Sequence, residues 1–164
     1  MSNTEKNLAT AFAGESQANR KYLAFAKQAE LEGYPQVAKL FRATAEAETI
    51  HALAHLKAMG GIKSTAENLK AAITGETYEF SEMYPPFIQE AEAENNTAAL
   101  RSFKLANEAE KVHAELYQKY LDNLEKKEVV DLYLCTVCGH INEGKAPEKC
   151  PICGAKAQAY KKVD

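Results

Sequence analysis

Four short runs in this chain have residue types and spacings that could do chemistry. Glu48-Thr49-Ile50-His51 and Glu110-Lys111-Val112-His113 each set a carboxylate and an imidazole three residues apart. At helical pitch that spacing turns both side chains of a pair to one side. Cys135-Thr136-Val137-Cys138 and Cys150-Pro151-Ile152-Cys153 set thiols at the same interval. Carboxylate and imidazole pairs suit divalent metals of intermediate hardness, while converging thiolates suit zinc or a single iron. Glutamate is so common here that chance could place one three residues before a histidine, so the surrounding pattern has to decide.

At 164 residues with a net charge of −3, the chain is one domain or one helical domain with a small appendage, and it gives no reason to expect nucleic acid or an anionic membrane as a partner. No stretch reads as a signal peptide or a membrane span, so a cytoplasmic location is expected. All four cysteines lie between Cys135 and Cys153, and the first 134 residues have none. That distribution is metal-site arithmetic rather than a disulfide framework.

The elements that must carry these residues are helices. Residues 4–31 show a stripe of Leu8, Phe12, Glu15, Asn19, Tyr22, Ala26 and Ala29 in steps of three and four. Gly33-Tyr34-Pro35 ends that helix, and a second over residues 36–59 has an inner face of Val37, Phe41, Thr44, Glu48, His51, His55 and Ala58, stopped by Gly60-Gly61. Ser64 with Glu67 reads as a capping box before a third helix with Leu69, Ala72, Glu76, Glu79 and Met83 on one side. Pro85-Pro86 must kink or break that helix. A fourth, over residues 97–126, carries Phe103, Ala106, Glu110, His113, Tyr117, Tyr120 and Leu124. Glu15 precedes Glu48 by 33 residues and Glu76 precedes Glu110 by 34, which predicts two related helical hairpins facing each other in a four-helix bundle.

Burying Glu15, Glu48, Glu76, Glu79 and Glu110 in one interior would cost several kcal/mol for each unpaired ion. No Lys or Arg shares their stripes, and two divalent ions would neutralise them, iron or manganese fitting the excess of carboxylate over imidazole. A Glu from each of two helices plus Glu-x-x-His from each of the other two matches the pattern of dimetal carboxylate bundles. His55 reads as a neighbour of the site rather than a ligand. If buried, the Tyr22 and Tyr84 hydroxyls need partners and would hydrogen-bond ligand carboxylates.

After Lys126-Lys127-Glu128 the sequence turns β-rich, and a separate module is expected over residues 129–164, leaving 1–128 to the bundle. So short a piece needs a metal to hold it together. Four thiolates accept zinc or iron and the motif does not choose. Taken alone the module favours a structural zinc ribbon; beside a redox-capable dimetal site, iron that carries electrons is the better reading.

With these residues in place, the chain resembles rubrerythrins over essentially its whole length: mainly α, a ferritin-like four-helix bundle followed by a small β-rich rubredoxin-like domain. The carriers are Gly14-Glu15-Ser16, Glu48-x-x-His51, Gly75-Glu76-x-x-Glu79, Met83-Tyr84-Pro85, Glu110-x-x-His113 and the paired Cys motifs in order. The interval between Cys138 and Cys150 is shorter than in free-standing rubredoxins, as is usual in rubrerythrin tails. The resemblance implies that Glu48 and Glu110 bridge two irons, that Glu15 serves one and Glu76 with His113 the other, and that Glu79 and His51 exchange at the first iron with oxidation state. It implies a third iron held by Cys135, Cys138, Cys150 and Cys153, with zinc or manganese as substitutes.

The activity it implies is reduction of hydrogen peroxide to water in oxidative-stress defence. Electrons would come through the four-cysteine iron from an NAD(P)H-dependent reductase or a rubredoxin. The rivals are a ferroxidase or iron-handling protein, a manganese catalase-like protein, and a non-enzymatic bundle with a zinc ribbon. Gly60 to Ser64 offers at most about 20 Å of extended chain, against about 36 Å for the second helix. A crossover within one chain would have to use part of the third helix; the alternative is a homodimer with exchanged hairpins, and a homodimer is expected.

Overall fold

The computed structural model describes residues 2–164. Two compact units result, one running up to Lys63 and the other Ser64–Asp164. The fold is mainly α with a small three-stranded sheet at its C-terminal end.

In the first unit, α1 (Asn3–Leu31) begins at a capping box in which the Ser2 hydroxyl accepts the Glu5 N–H and the Glu5 carboxylate accepts the Ser2 N–H at 2.6 Å. Gly33, at φ 81°, turns the chain into α2 (Pro35–Ala58), whose proline occupies the first turn; Gly60, at φ 66°, ends it. The α1 stripe packs as expected, with Asn19, Ala26 and Ala29 buried. On α2 the deepest positions are Ala38, Ala45 and Ala52, each seven residues apart, one residue round from the expected inner face. Phe41 and Glu48 are half-buried there, while Val37 and His51 are exposed. Alanine lets two helices approach closely, so the small residues make the line of contact and the larger ones flank it.

In the second unit, α3 (Thr65–Tyr78) starts at the Ser64–Glu67 capping box. A single π turn, Glu79–Met83, joins it to α4 (Tyr84–Ala93). The prolines neither kink nor end the helix by themselves. They take the first turn of α4, where their missing N–H groups have no helical partner to lose, and the distortion lies in the turn before them. Asn96 caps α5 (Thr97–Asp122), accepting the Ala99 N–H at 3.1 Å. The β-rich tail forms β1 (Leu132–Cys135), β2 (Ile141–Glu143) and β3 (Tyr160–Val163), antiparallel in the order β2-β1-β3, with Cys135 opposite Tyr160. This sheet belongs to the same compact unit as α3 to α5. Among the described residues, no helix is long and apolar enough to cross a membrane.

Candidate metal centres

Glu15 from the middle of α1 meets Glu48 and His51 from α2, their ligand atoms all within 4.8 Å of one another. His51 Nδ1 lies 3.0 Å from Glu48 Oε2 and 3.8 Å from Glu15 Oε2. The neighbouring Glu48 carboxyl raises Glu15, and Glu15 in turn lowers Glu48. The helices are pinned one turn away. Asn19 donates from Nδ2 to the Ala45 carbonyl at 2.7 Å and to Thr49 Oγ1 at 2.7 Å. On the other side of Asn19, Tyr22, Phe25 and Phe41 form an aromatic cluster with centroids 5.6–6.3 Å apart. His55 is outside the group.

The second unit repeats the arrangement with Glu76 from α3 and Glu110 and His113 from α5. His113 Nδ1 is 2.7 Å from Glu110 Oε2 and 3.6 Å from Glu76 Oε2. Burial first, and a hydrogen bond with Glu110 second, raise Glu76. Glu79 stands just outside this trio, in the π turn, raised by burial and by the charge of Glu76. Tyr84, Phe87 and Phe103 form a cluster like that in the first unit. Burial and the charges of Glu110, Glu79 and Glu76 keep the Tyr84 hydroxyl protonated. Neither the Tyr22 nor the Tyr84 hydroxyl is hydrogen-bonded to these carboxylates among the described residues.

The two halves differ by one residue. Phe41 to Glu48 and Phe103 to Glu110 are each seven residues, and Glu15 to Tyr22 is seven, but Glu76 to Tyr84 is eight. The π turn absorbs the extra residue, so the tyrosines hold matching places while Glu79 gains a position that Ala18 holds in the first half.

Cys135 and Cys153 approach to 3.7 Å between sulfurs and Cys138 and Cys150 to 3.6 Å, far beyond a disulfide bond, and all four sulfurs lie within 4.8 Å. Gly139 at φ 84° and Gly154 at φ 73° let each knuckle fold back, their N–H groups donating to the Cys135 and Cys150 carbonyls at 3.0 Å. Burial pushes the Cys150 thiol up, but the N–H groups of Cys153 and Ile152 and the Tyr160 hydroxyl outweigh it and bring it down to about 6. Burial holds Cys138 and Cys153 up. Four sulfurs converging on one centre are a donor set that a tetrahedral iron or zinc would fill.

The two metal-ligating groups of the second unit touch. His113 Nε2 lies 2.9 Å from the carbonyl oxygen of Gly139, the residue after Cys138. A carbonyl only accepts, so Nε2 carries a proton and Nδ1 is the nitrogen turned to the carboxylates. A Cβ on Gly139 would lie 3.8 Å from Ala109 Cβ. Further along α5, Glu143 of β2 accepts from Lys119 and from the Tyr120 hydroxyl, the latter at 2.9 Å. No spacing rule reaches these contacts, since their partners lie 23 to 26 residues apart. In the sequence Gly139 is simply the residue that follows Cys138.

Helical pairs presenting carboxylates and imidazoles, with a four-thiolate module docked on one of them, define a dimetal-carboxylate protein with a second metal module. The sequence model of the family described as Rubrerythrin matches residues 6–121, and that of its rubredoxin-like domain matches residues 133–161. The chain belongs to the rubrerythrin family. It is 43% identical over 164 residues to nigerythrin of Nitratidesulfovibrio vulgaris, covering 92% of this chain and 81% of that one. To rubrerythrin of Porphyromonas gingivalis it is 39% identical, covering 97% of this chain and 88% of the relative. A solved structure of nigerythrin in a partially reduced state matches with a TM-score of 0.61 at 38% identity, over 99% of this chain and 88% of that one. Membership, candidate di-iron carboxylate sites and a four-cysteine site together make the chain an iron-dependent oxidoreductase.

Proposed function

We propose that this chain reduces hydrogen peroxide to water at a non-haem di-iron site, with electrons relayed through iron in the four-cysteine module from an NAD(P)H-dependent reductase or a rubredoxin. The contact between His113 and Gly139 carries the reading, because it joins a di-iron ligand to the cysteine knuckle within one compact unit. Glu15, Glu48, His51, Glu76, Glu79, Glu110 and His113 would hold the two irons; Cys135, Cys138, Cys150 and Cys153 would hold the third. When bound, the ferrous pair supplies the two electrons that split the O–O bond, and two protons complete two waters. Around it the chain supplies orientation: Gly139 fixes the His113 ring, and Asn19 fixes Glu15 against Glu48. Tyr84, kept protonated, offers a donor beside the carboxylates of the second half-site. A cytoplasmic location fits a nicotinamide-dependent donor.

The test is metal content with an absorption spectrum, followed by reoxidation. About three irons per chain with ferric-thiolate bands, and a reduced protein reoxidised fast by hydrogen peroxide and slowly by dioxygen, are expected. Zinc alone in the tail would overturn the relay. Oxygen evolved from peroxide without reductant would favour a catalase-like activity instead.

A further inference from the structure

The four-cysteine module meets α5 at both ends of the stretch that runs from Gly139 to the end of β2. At one end the Gly139 carbonyl lies 2.9 Å from His113 Nε2. At the other, Glu143 closes β2 with its backbone opposite Leu132 in the β1–β2 ladder. Asn142 braces the turn that follows, donating from Nδ2 to the Glu143 and Lys145 carbonyls at 3.0 and 2.8 Å. From that fixed backbone the half-buried Glu143 carboxylate reaches α5, where it accepts from the Tyr120 hydroxyl at 2.9 Å and from Lys119 Nζ. His113 and Tyr120 are seven residues apart, about 10 Å along one face of the helix. Gly139 and Glu143 span at most about 14 Å of chain, so the two ends of the stretch match the two places on α5. Lys119 is open to solvent, and an exposed ion pair contributes little. The Tyr120 hydrogen bond is partly buried, beside a cavity of about 230 Å³ lined by Lys126, Lys127 and Glu143 where α5 passes into the joining segment.

We propose that Glu143 is a positioning residue that clamps the four-cysteine module to α5 through Tyr120, keeping the Gly139 knuckle against His113 for electron passage between the two metal centres. This rests on the reading above that electrons pass from the module to the di-iron site. In each passage one ferrous iron at the cysteines is oxidised and one ferric iron of the pair that peroxide has oxidised is reduced; no bond is made or broken. Each further electron enters the module from its one-electron donor. Without Glu143 the module is tied to α5 at the Gly139 end and swings at the other. Removing a hydrogen bond to a charged acceptor shifts such an equilibrium by about tenfold or more. Glu143 acts through the placement of Gly139 rather than on a metal ligand.

The experiment mixes the full-length, iron-loaded protein, reduced without air, with one equivalent of hydrogen peroxide. Peroxide consumed in the first turnover reports the di-iron pair, and return of the ferric-thiolate bands reports passage from the module. Glu143→Ala should leave the first unchanged and slow the second about tenfold. Glu143→Gln, whose amide oxygen still accepts from Tyr120, should restore most of the rate, and Tyr120→Phe should slow it as Glu143→Ala does. Tryptic cleavage after Lys126 and Lys127, both exposed in the joining segment, reads docking without turnover. It should quicken in Glu143→Ala and Tyr120→Phe and stay near wild type in Glu143→Gln. Band return in Glu143→Ala within twofold of wild type overturns this proposal alone, as does slower return with no faster cleavage. Equal slowing of both kinetic readouts overturns it too, because the loss is then a general one. If Glu143→Ala takes up no iron, Tyr120→Phe decides by the same criteria. Wild-type bands that do not return after the peroxide is consumed overturn the relay reading, and this proposal with it.

Discussion

At Asn19 one amide joins α1 to α2 a turn away from Glu15, and its carboxamide oxygen accepts from Arg20. Asn19→Ala removes two buried hydrogen bonds across the helix pair and leaves the freed partners desolvated, so a loss of about 2 kcal/mol is expected in denaturant unfolding of the metal-free protein. The carboxylates behave differently. Glu76 is raised by burial and by Glu110, and Glu79 by burial and Glu76, so the folded chain binds these protons more tightly than the unfolded chain. The stability they lend is present below the ordinary carboxylate range and is lost as pH rises through the raised values. Glu48 and Glu143, lowered, work in the opposite sense and lose their contribution on acidification. Glu76→Gln should therefore raise the thermal midpoint of the chelator-treated protein at pH 7, leave it nearly unchanged near pH 4, and abolish iron loading of that half-site. A lower midpoint at pH 7 would show that the cluster is not strained without metal. Stability and metal binding compete at this residue.

The π turn is the element in which sequence and structure part most instructively. Helical periodicity, capping residues and turn glycines made α1, α2, α3 and α5 legible to within a few residues, because each signal is local. Glu-x-x-His and Cys-x-x-Cys were legible for the same reason. The prolines were seen as a break, yet their neighbours Glu79–Met83 absorb an added residue as one wide turn, and a period of 3.6 contains no sign of that. Nor did the stripe on α2 show that alanines line the contact, since it follows size rather than closeness of approach. Deleting Ser81, whose side chain only donates back to the Thr77 carbonyl, should convert the π turn to regular helix with little loss of helicity by circular dichroism. Tyr84 is held by Phe87 and Phe103, so the local change falls on the turn that carries Glu79. Iron affinity should then fall by about tenfold or more while α5 keeps Glu110 and His113 in place. Unchanged affinity in a titration of ferrous iron would mean that Glu79 is not a ligand.

For the whole molecule the question is which helical pairs complete each other's sites. Each unit offers one three-residue half-site, and a dimetal centre of the proposed kind needs one from each unit. Only residues 59–64 connect α2 to α3, at most about 20 Å of chain, whereas α2 with its 24 residues is about 36 Å long. A connection that short cannot run back along α2 without using part of α3, and we propose instead a dimer in which the first unit of one chain completes its site with the second unit of the other. Two variants read this out directly. Glu48→Ala spoils the first unit and Glu110→Ala the second, so each homodimer should lose its di-iron sites. Refolded together at equal amounts, half the dimers are mixed. In an exchanged mixed dimer one site collects both defects and the other collects none, so about a quarter of the wild-type sites should return, measured as bound iron and as peroxide-driven reoxidation. Sites completed within one chain would return none at any mixing ratio.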